Sequence, residues 1–181
     1  MSSNIHAIHH VGLVVEDLDR SIYFYHDLLG LPLASGPTPW FGGSELARGV
    51  GVPDAKLRLA TFQVGETVVE LLQYAEHPAG GLQPPPNNSL GAAHICFRVA
   101  DVRAAKLELE SHGVHFYSDV TVVDDGPLAG WRWVYLSDPD GLTLELVEIA
   151  YDDQRELREK STGEYLRARP ALADLEPGVH H

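Results

Sequence analysis

The sequence predicts an α+β protein of two tandem βαβββ modules, forming a curved sheet around a metal cleft, and three observations predict it. Each half opens with an apolar extended run, then enters an amphipathic helix through an aspartate, Asp17 or Asp101, seven residues after a histidine, His10 or His94. Each half closes with a hairpin whose last strand carries a glutamate in its middle, Glu70 in GETVVELLQY and Glu145 in GLTLELVEI. Between the halves lies HPAGGLQPPPNN, a linker by composition.

The elements follow in order. Residues 8–15 read as a strand and Glu16-Asp17-Leu18-Asp19 as a helix entry. Over 19–29, Ile22, Phe24, Tyr25, Leu28 and Leu29 recur at helical spacing, closed by Gly30. A stretch rich in Gly and Pro, 31–53, follows, with one strand poorly marked near Leu33 or inside the loop; 56–64 and 67–74 then read as a hairpin joined by Gly65-Glu66. The second half repeats this with a strand over 94–99 and a helix over 102–111 that ends at Gly113. Extended runs follow at 114–122, 131–136 and 143–149, with Asp138-Pro139-Asp140-Gly141 as the last turn. The expected boundaries are 5–76 and 92–150 for the modules, 77–91 for the linker and 151–181 for a C-terminal extension. Within the extension, 151–169 reads as a charged, solvated helix with Leu157 and Leu166 as sparse apolar anchors.

Composition narrows the function. The 181 residues include 13 basic and 26 acidic side chains, a net charge of -13 that repels phosphate backbones and anionic lipid surfaces, so neither nucleic acid nor membrane is an expected partner. The single cysteine, Cys96, excludes an intramolecular disulfide framework, and MSSNIHAIHH has no apolar run of signal type, so a cytoplasmic location is expected.

Strand alternation turns the histidines and glutamates into a geometric expectation. If Val11, Leu13 and Val15 pack on the helix, His10, Gly12 and Val14 face the other way; Ile95, Phe97 and Val99 likewise leave His94, Cys96 and Arg98 opposite. Glu70 and Glu145 sit on the non-core parity of their own strands. A carboxylate buried without a partner costs several kcal/mol, roughly, so its place in the middle of an apolar strand calls for one. His10, Glu70, His94 and Glu145 together form a ligand set for one divalent metal, and Ni, Zn, Co, Mn and Fe all accept it. Arg98 is a candidate clamp for a substrate carboxylate or phosphate, and Trp40, Trp133 and Tyr135 are candidate pocket walls.

The stretches HHVGLVVEDLDRSIYFYHDLLGL, ETVVELLQY, AHICFRVADV and VYLSDPDGLTLELVE resemble the vicinal oxygen chelate superfamily, which includes glyoxalase I, methylmalonyl-CoA epimerase, extradiol dioxygenases and bleomycin-resistance proteins. The resemblance implies paired modules around one metal, with ligands on the first and last strands, here His10, Glu70, His94 and Glu145. Glu at the second position is similar to glyoxalase I, where the epimerase has Gln. The implied activity is that of a metal-dependent isomerase, epimerase or lyase moving a proton next to a carbonyl through a metal-stabilised enediolate. Glu145 is the first choice for the base and Glu70 the second. The alternatives are an extradiol-type dioxygenase and a non-catalytic small-molecule binding or resistance protein. A small-molecule substrate and a homodimer are the expected partners.

Overall fold

The computed structural model describes residues 5–77, 84–126 and 128–149; the extension 151–181 and its expected helix lie outside them, as does part of the linker. The first sheet contains β1 (His10–Val14), β2 (Leu33–Ser35), β3 (Phe41–Gly42), β4 (Lys56–Val64) and β5 (Thr67–Tyr74) in the order β1-β5-β4-β2, with β3 also on β4. The second contains β6 (Ile95–Arg98), β7 (Thr121–Val122), β8 (Arg132–Ser137) and β9 (Thr143–Glu148), ordered β6-β9-β8-β7. First and last strands pair in parallel in both sheets, and the terminal hairpins are antiparallel. This is the α+β duplication expected, with two open sheets rather than a closed barrel. No helix among the described residues is long and apolar enough to cross a membrane.

The helices explain how each sheet gains its buried face. The first, α1 (Leu18–Ile22), starts at Asp17, whose carboxylate accepts from the backbone N–H groups of Asp19 and Arg20, satisfying donors that a helix start leaves unpaired. Asp101 does the same for Arg103 and Ala104 at the helix spanning Val102–Ser111. The sequence expects one α-helix over 19–29, but after Ile22 the chain widens into a π-helical turn, Tyr23–Leu28, with Leu29 N–H donating to the Phe24 carbonyl. Adjacent Phe24 and Tyr25 are both buried there. The three-residue steps from Ile22 to Tyr25 and from Tyr25 to Leu28 fit an α-helix as well, so the spacing alone does not mark the wider turn.

Two other segments differ from expectation. The long Gly/Pro-rich stretch holds β2 near Leu33, as anticipated, but also β3 and α2 (Ser44–Val50), ended by Gly51 in the left-handed conformation. This helix buries none of its residues, so it leaves no hydrophobic period to read. The helix at Val102–Ser111 is thus α3. The run expected over 114–122 reduces to β7 and a single bridge, Phe116 to Leu136.

One core spans both modules. Leu18, Tyr25, Phe62, Val69 and Leu71 from the first join Val102, Leu109, Val134, Leu136, Leu144 and Leu146 from the second. Each fully buried aliphatic side chain contributes about 1.5–3 kcal/mol relative to exposure. A polar lock accompanies it. The buried Tyr25 hydroxyl donates to Asp138 Oδ2 at 3.1 Å, and Arg20 Nη2 meets Asp140 Oδ1 at 2.5 Å. Asp138 also accepts from the N–H groups of Asp140 and Leu142, closing the β8–β9 turn. Burial raises the Asp138 carboxyl above its usual range, opposed by those donated hydrogen bonds, while burial and the Asp138 charge push the Tyr25 phenol up.

Candidate metal centre

Parity in the folded chain follows the alternation read from the sequence. On β1, Val11 and Leu13 are part-buried whereas His10, Gly12 and Val14 are exposed; on β6, Phe97 is buried and Cys96 and Arg98 are exposed. Glu70 stands between buried Val69 and Leu71, and Glu145 between buried Leu144 and Leu146. Pairing then sets Gly12 opposite Glu70 and Cys96 opposite Glu145.

Each histidine meets the glutamate of its own module. His10 Nε2 lies 3.9 Å from Glu70 Oε2, and His94 Nε2 lies 3.0 Å from Glu145 Oε2. The imidazoles are 49% and 43% exposed and the carboxylates 22% and 16%, so nitrogen and oxygen donors both reach the open face. The four do not gather: among the described residues, no group of three or more His, Cys, Asp or Glu side chains is placed to hold a metal ion. The modules join through their helix-side cores and the α1 contact with the β8–β9 turn. One chain therefore presents two half-sites, each one imidazole and one carboxylate. Imidazole and carboxylate donors suit a borderline divalent cation, and two such pairs brought together would make a four-ligand set.

The half-sites are furnished differently. In the first, His9 Nδ1 and His10 Nδ1 are 2.9 Å apart, so His9 engages one ring nitrogen and leaves Nε2 directed at Glu70. In the second, the His94 ring stands edge-on to Tyr135 at 5.1 Å, and Tyr135 to Trp133 at 5.4 Å. Tyr135 is also the β8 partner of Glu145. Burial, the Glu145 charge and a hydrogen bond to Glu145 push the Cys96 thiol up to about 12; burial, then Glu145, raises Tyr135. Both groups stay protonated beside the carboxylate, which makes Cys96 a neutral neighbour and not a nucleophile.

The family model described as the Glyoxalase/Bleomycin resistance protein/Dioxygenase superfamily matches residues 7–146. The chain belongs to this superfamily. Within it, the chain is 36% identical over 159 residues to a 2-epi-5-epi-valiolone epimerase from Actinomyces sp., covering 84% of the chain and 86% of the relative. It is 31% identical to a lactoylglutathione lyase from Pseudomonas aeruginosa, over 82% of the chain and 86% of the relative. A glyoxalase family protein from Bacillus cereus has a similar solved structure, with a TM-score of 0.69 at 25% identity, over 82% of the chain and 98% of that protein.

The other residues singled out from the sequence are distributed around this superfamily fold. Trp133 and Tyr135 stand in the second half-site, and Arg98 lies on the same face, paired with Val147. Trp40 lies instead over the Arg58 guanidinium, 5.4 Å from its ring centre, on the helix side of the sheet. Arg58 there holds Gln73 Oε1, which also accepts from the Leu18 N–H.

Sequence reasoning passed over this capping pair and its duplicate. In the second module Glu148 accepts from the Val102 N–H and from Arg132. Gln73 and Glu148 each follow the candidate glutamate by three residues, a matching offset that could have revealed them. His9, one residue before His10, has the opposite strand parity; its contact runs through the neighbouring ring.

Proposed function

We propose that this chain is a divalent-metal-dependent epimerase or lyase that moves a proton at a carbon next to a carbonyl. The observation that carries the reading is the pair of matching half-sites, His10 with Glu70 and His94 with Glu145, on the open faces of two superfamily modules. The relatives named as an epimerase and a lyase favour this reaction class. Because one chain leaves the pairs apart, a complete site takes His10 and Glu70 from one protomer and His94 and Glu145 from its partner, in a homodimer with two such sites.

When bound, the cation supplies Lewis acidity to substrate oxygen. The protein's own groups do the rest. Glu145 is the base: His94, Cys96 and Tyr135 surround it and fix its position, and positioning is a large part of proton-transfer catalysis. Cys96 and Tyr135, held protonated, add hydrogen-bond donors without competing charge. The Trp133 and Tyr135 rings pack against each other on β8, where Tyr135 is the strand partner of Glu145. Glu70 is the second carboxylate, with His9 orienting its histidine partner.

Subunit mixing tests the arrangement. A His10→Ala, Glu70→Gln chain mixed with a His94→Ala, Glu145→Gln chain forms mixed dimers with one intact site, returning about a quarter of the wild-type sites at equal ratio. Bound metal and solvent-deuterium exchange into α-hydroxy ketones should return together. Failure to recover either, with dimers exchanging subunits normally, would overturn the shared site.

A further inference from the structure

We propose that Tyr117, Ser137, Thr143 and Asn87 form a hydroxyl-reading subsite, next to the His94 and Glu145 pair, for a small neutral polyhydroxylated ketone. This deepens the proposed proton-transfer function and rests on it for the reaction, though not for the binding.

The subsite lies on the open face of the second sheet. Thr143 precedes Glu145 by two residues on β9, which places it on the same side about 6.8 Å along the strand. Ser137 is its β8 partner, as Tyr135 is the partner of Glu145. Tyr117 reaches the same point because its backbone N–H donates to the Tyr135 carbonyl beside β8. The side chains form one chain of hydrogen bonds: Ser137 Oγ donates to Tyr117 Oη at 2.9 Å, Tyr117 Oη and Thr143 Oγ1 are 3.4 Å apart, and Thr143 Oγ1 donates to Asn87 Oδ1 at 2.8 Å.

Tyr117, Thr143 and Asn87 line a cleft of about 320 Å³ together with Pro84, Pro85, Pro86 and Gly141, and Ser137 joins them through its hydrogen bond to Tyr117. A Cβ on Gly141 would come within 2.9 Å of Pro84 Cγ, so glycine lets the proline wall seat on the turn. The volume is at the small end for ligand pockets and matches a single substituted ring.

The chemistry of the walls selects the ligand. Hydroxyl and amide groups both donate and accept, which is what ring hydroxyls require, whereas an anion needs donors alone. None of the lining residues is cationic, and Arg98 lies opposite Val147, about 13 Å along β9 from Thr143. With Glu145 one pleat away, an anionic tail has no partner in this cleft. A hydroxylated ring placed here puts one edge on the hydroxyl chain and another toward Glu145.

The test compares two ring ketones, scyllo-inosose, which is fully hydroxylated, and hydroxycyclohexanone, which carries a single hydroxyl. Solvent-deuterium exchange into each is followed with metal-loaded wild-type, Tyr117→Phe and Thr143→Val proteins, and saturation-transfer NMR follows binding of scyllo-inosose to the same three. The expected result is an inosose-to-hydroxycyclohexanone selectivity that falls at least tenfold in each variant, by about the loss of one or two neutral hydrogen bonds, with the NMR signal weakened in parallel. Selectivity and NMR signal unchanged in both variants would overturn the subsite. Absence of exchange on either ketone in the wild type would overturn the proton-transfer reading instead, and the NMR comparison would still decide the subsite.

Discussion

The two modules share a frame and differ in what hangs on it. In both, an aspartate caps the helix, an arginine and an amide or carboxylate side chain brace its first turn, and a histidine meets a glutamate on the outer face. Around that frame the first half-site is sparse, with Gly12 opposite Glu70 and Thr61 as its hairpin partner. The second has Cys96 and Tyr135 at the corresponding places, with Trp133 beyond. The two modules keep the same donors in different surroundings, and the proposed division of labour between Glu70 and Glu145 rests on that difference.

Swapping single groups sharpens that contrast. The largest effect is expected at the carboxylates. Glu145→Gln should slow proton exchange about 10²–10⁴-fold, the range for loss of a general base, and Glu70→Gln distinctly less at equal metal loading. Equal losses, measured with metal content on the same samples, would erase the proposed division of labour. Next comes the lock between modules. Asp138→Ala orphans the Tyr25 hydroxyl and two backbone N–H groups, costing about 1–3 kcal/mol for each group that water does not reach; Tyr25→Phe should cost less, and urea unfolding reads both.

The same carboxylate has a pH signature. Asp138 binds its proton more tightly folded than unfolded, so its contribution to stability is full at low pH and is lost as pH rises through and above the ordinary carboxylate range. Relative to Asp138→Asn, the wild type should lose stability across that window; a parallel pair of stability curves would contradict it. The smallest effect is at the helix caps. Asp17→Ala and Asp101→Ala should each cost about 1 kcal/mol, and similar values from the two modules would show that divergence stops at the open faces.

Much of this was legible in the chain because it rests on short-range pattern. Asp17 and Asp101, the hairpin at Gly65-Glu66 and the turn at 138–141 are signalled by residues next to each other, and alternation is enough to put His10 and Glu70 on one face. What escaped has no local period. The α2 helix buries nothing, the π-helical turn keeps a spacing of Ile22, Tyr25 and Leu28 that an α-helix would share, and 114–122 pairs mostly through isolated bonds. Trp40 was placed in the pocket for its chemistry, but the Arg58 guanidinium attracts the ring to the other side. The separation of the two His and Glu pairs is set by how the modules dock, which neither half encodes alone.

The last strand of each module carries two messages on opposite sides. Glu70 looks outward while Gln73 steadies the helix from beneath, and Glu145 and Glu148 divide the same way. Deleting one residue ahead of Glu145 on β9 would turn it into the greasy interior and lift Glu148 off the helix start in the same stroke. Such a strand tolerates changes of letter far better than changes of length. Across descendants of this gene, gains and losses of residues should collect in the loops and leave these two strands intact.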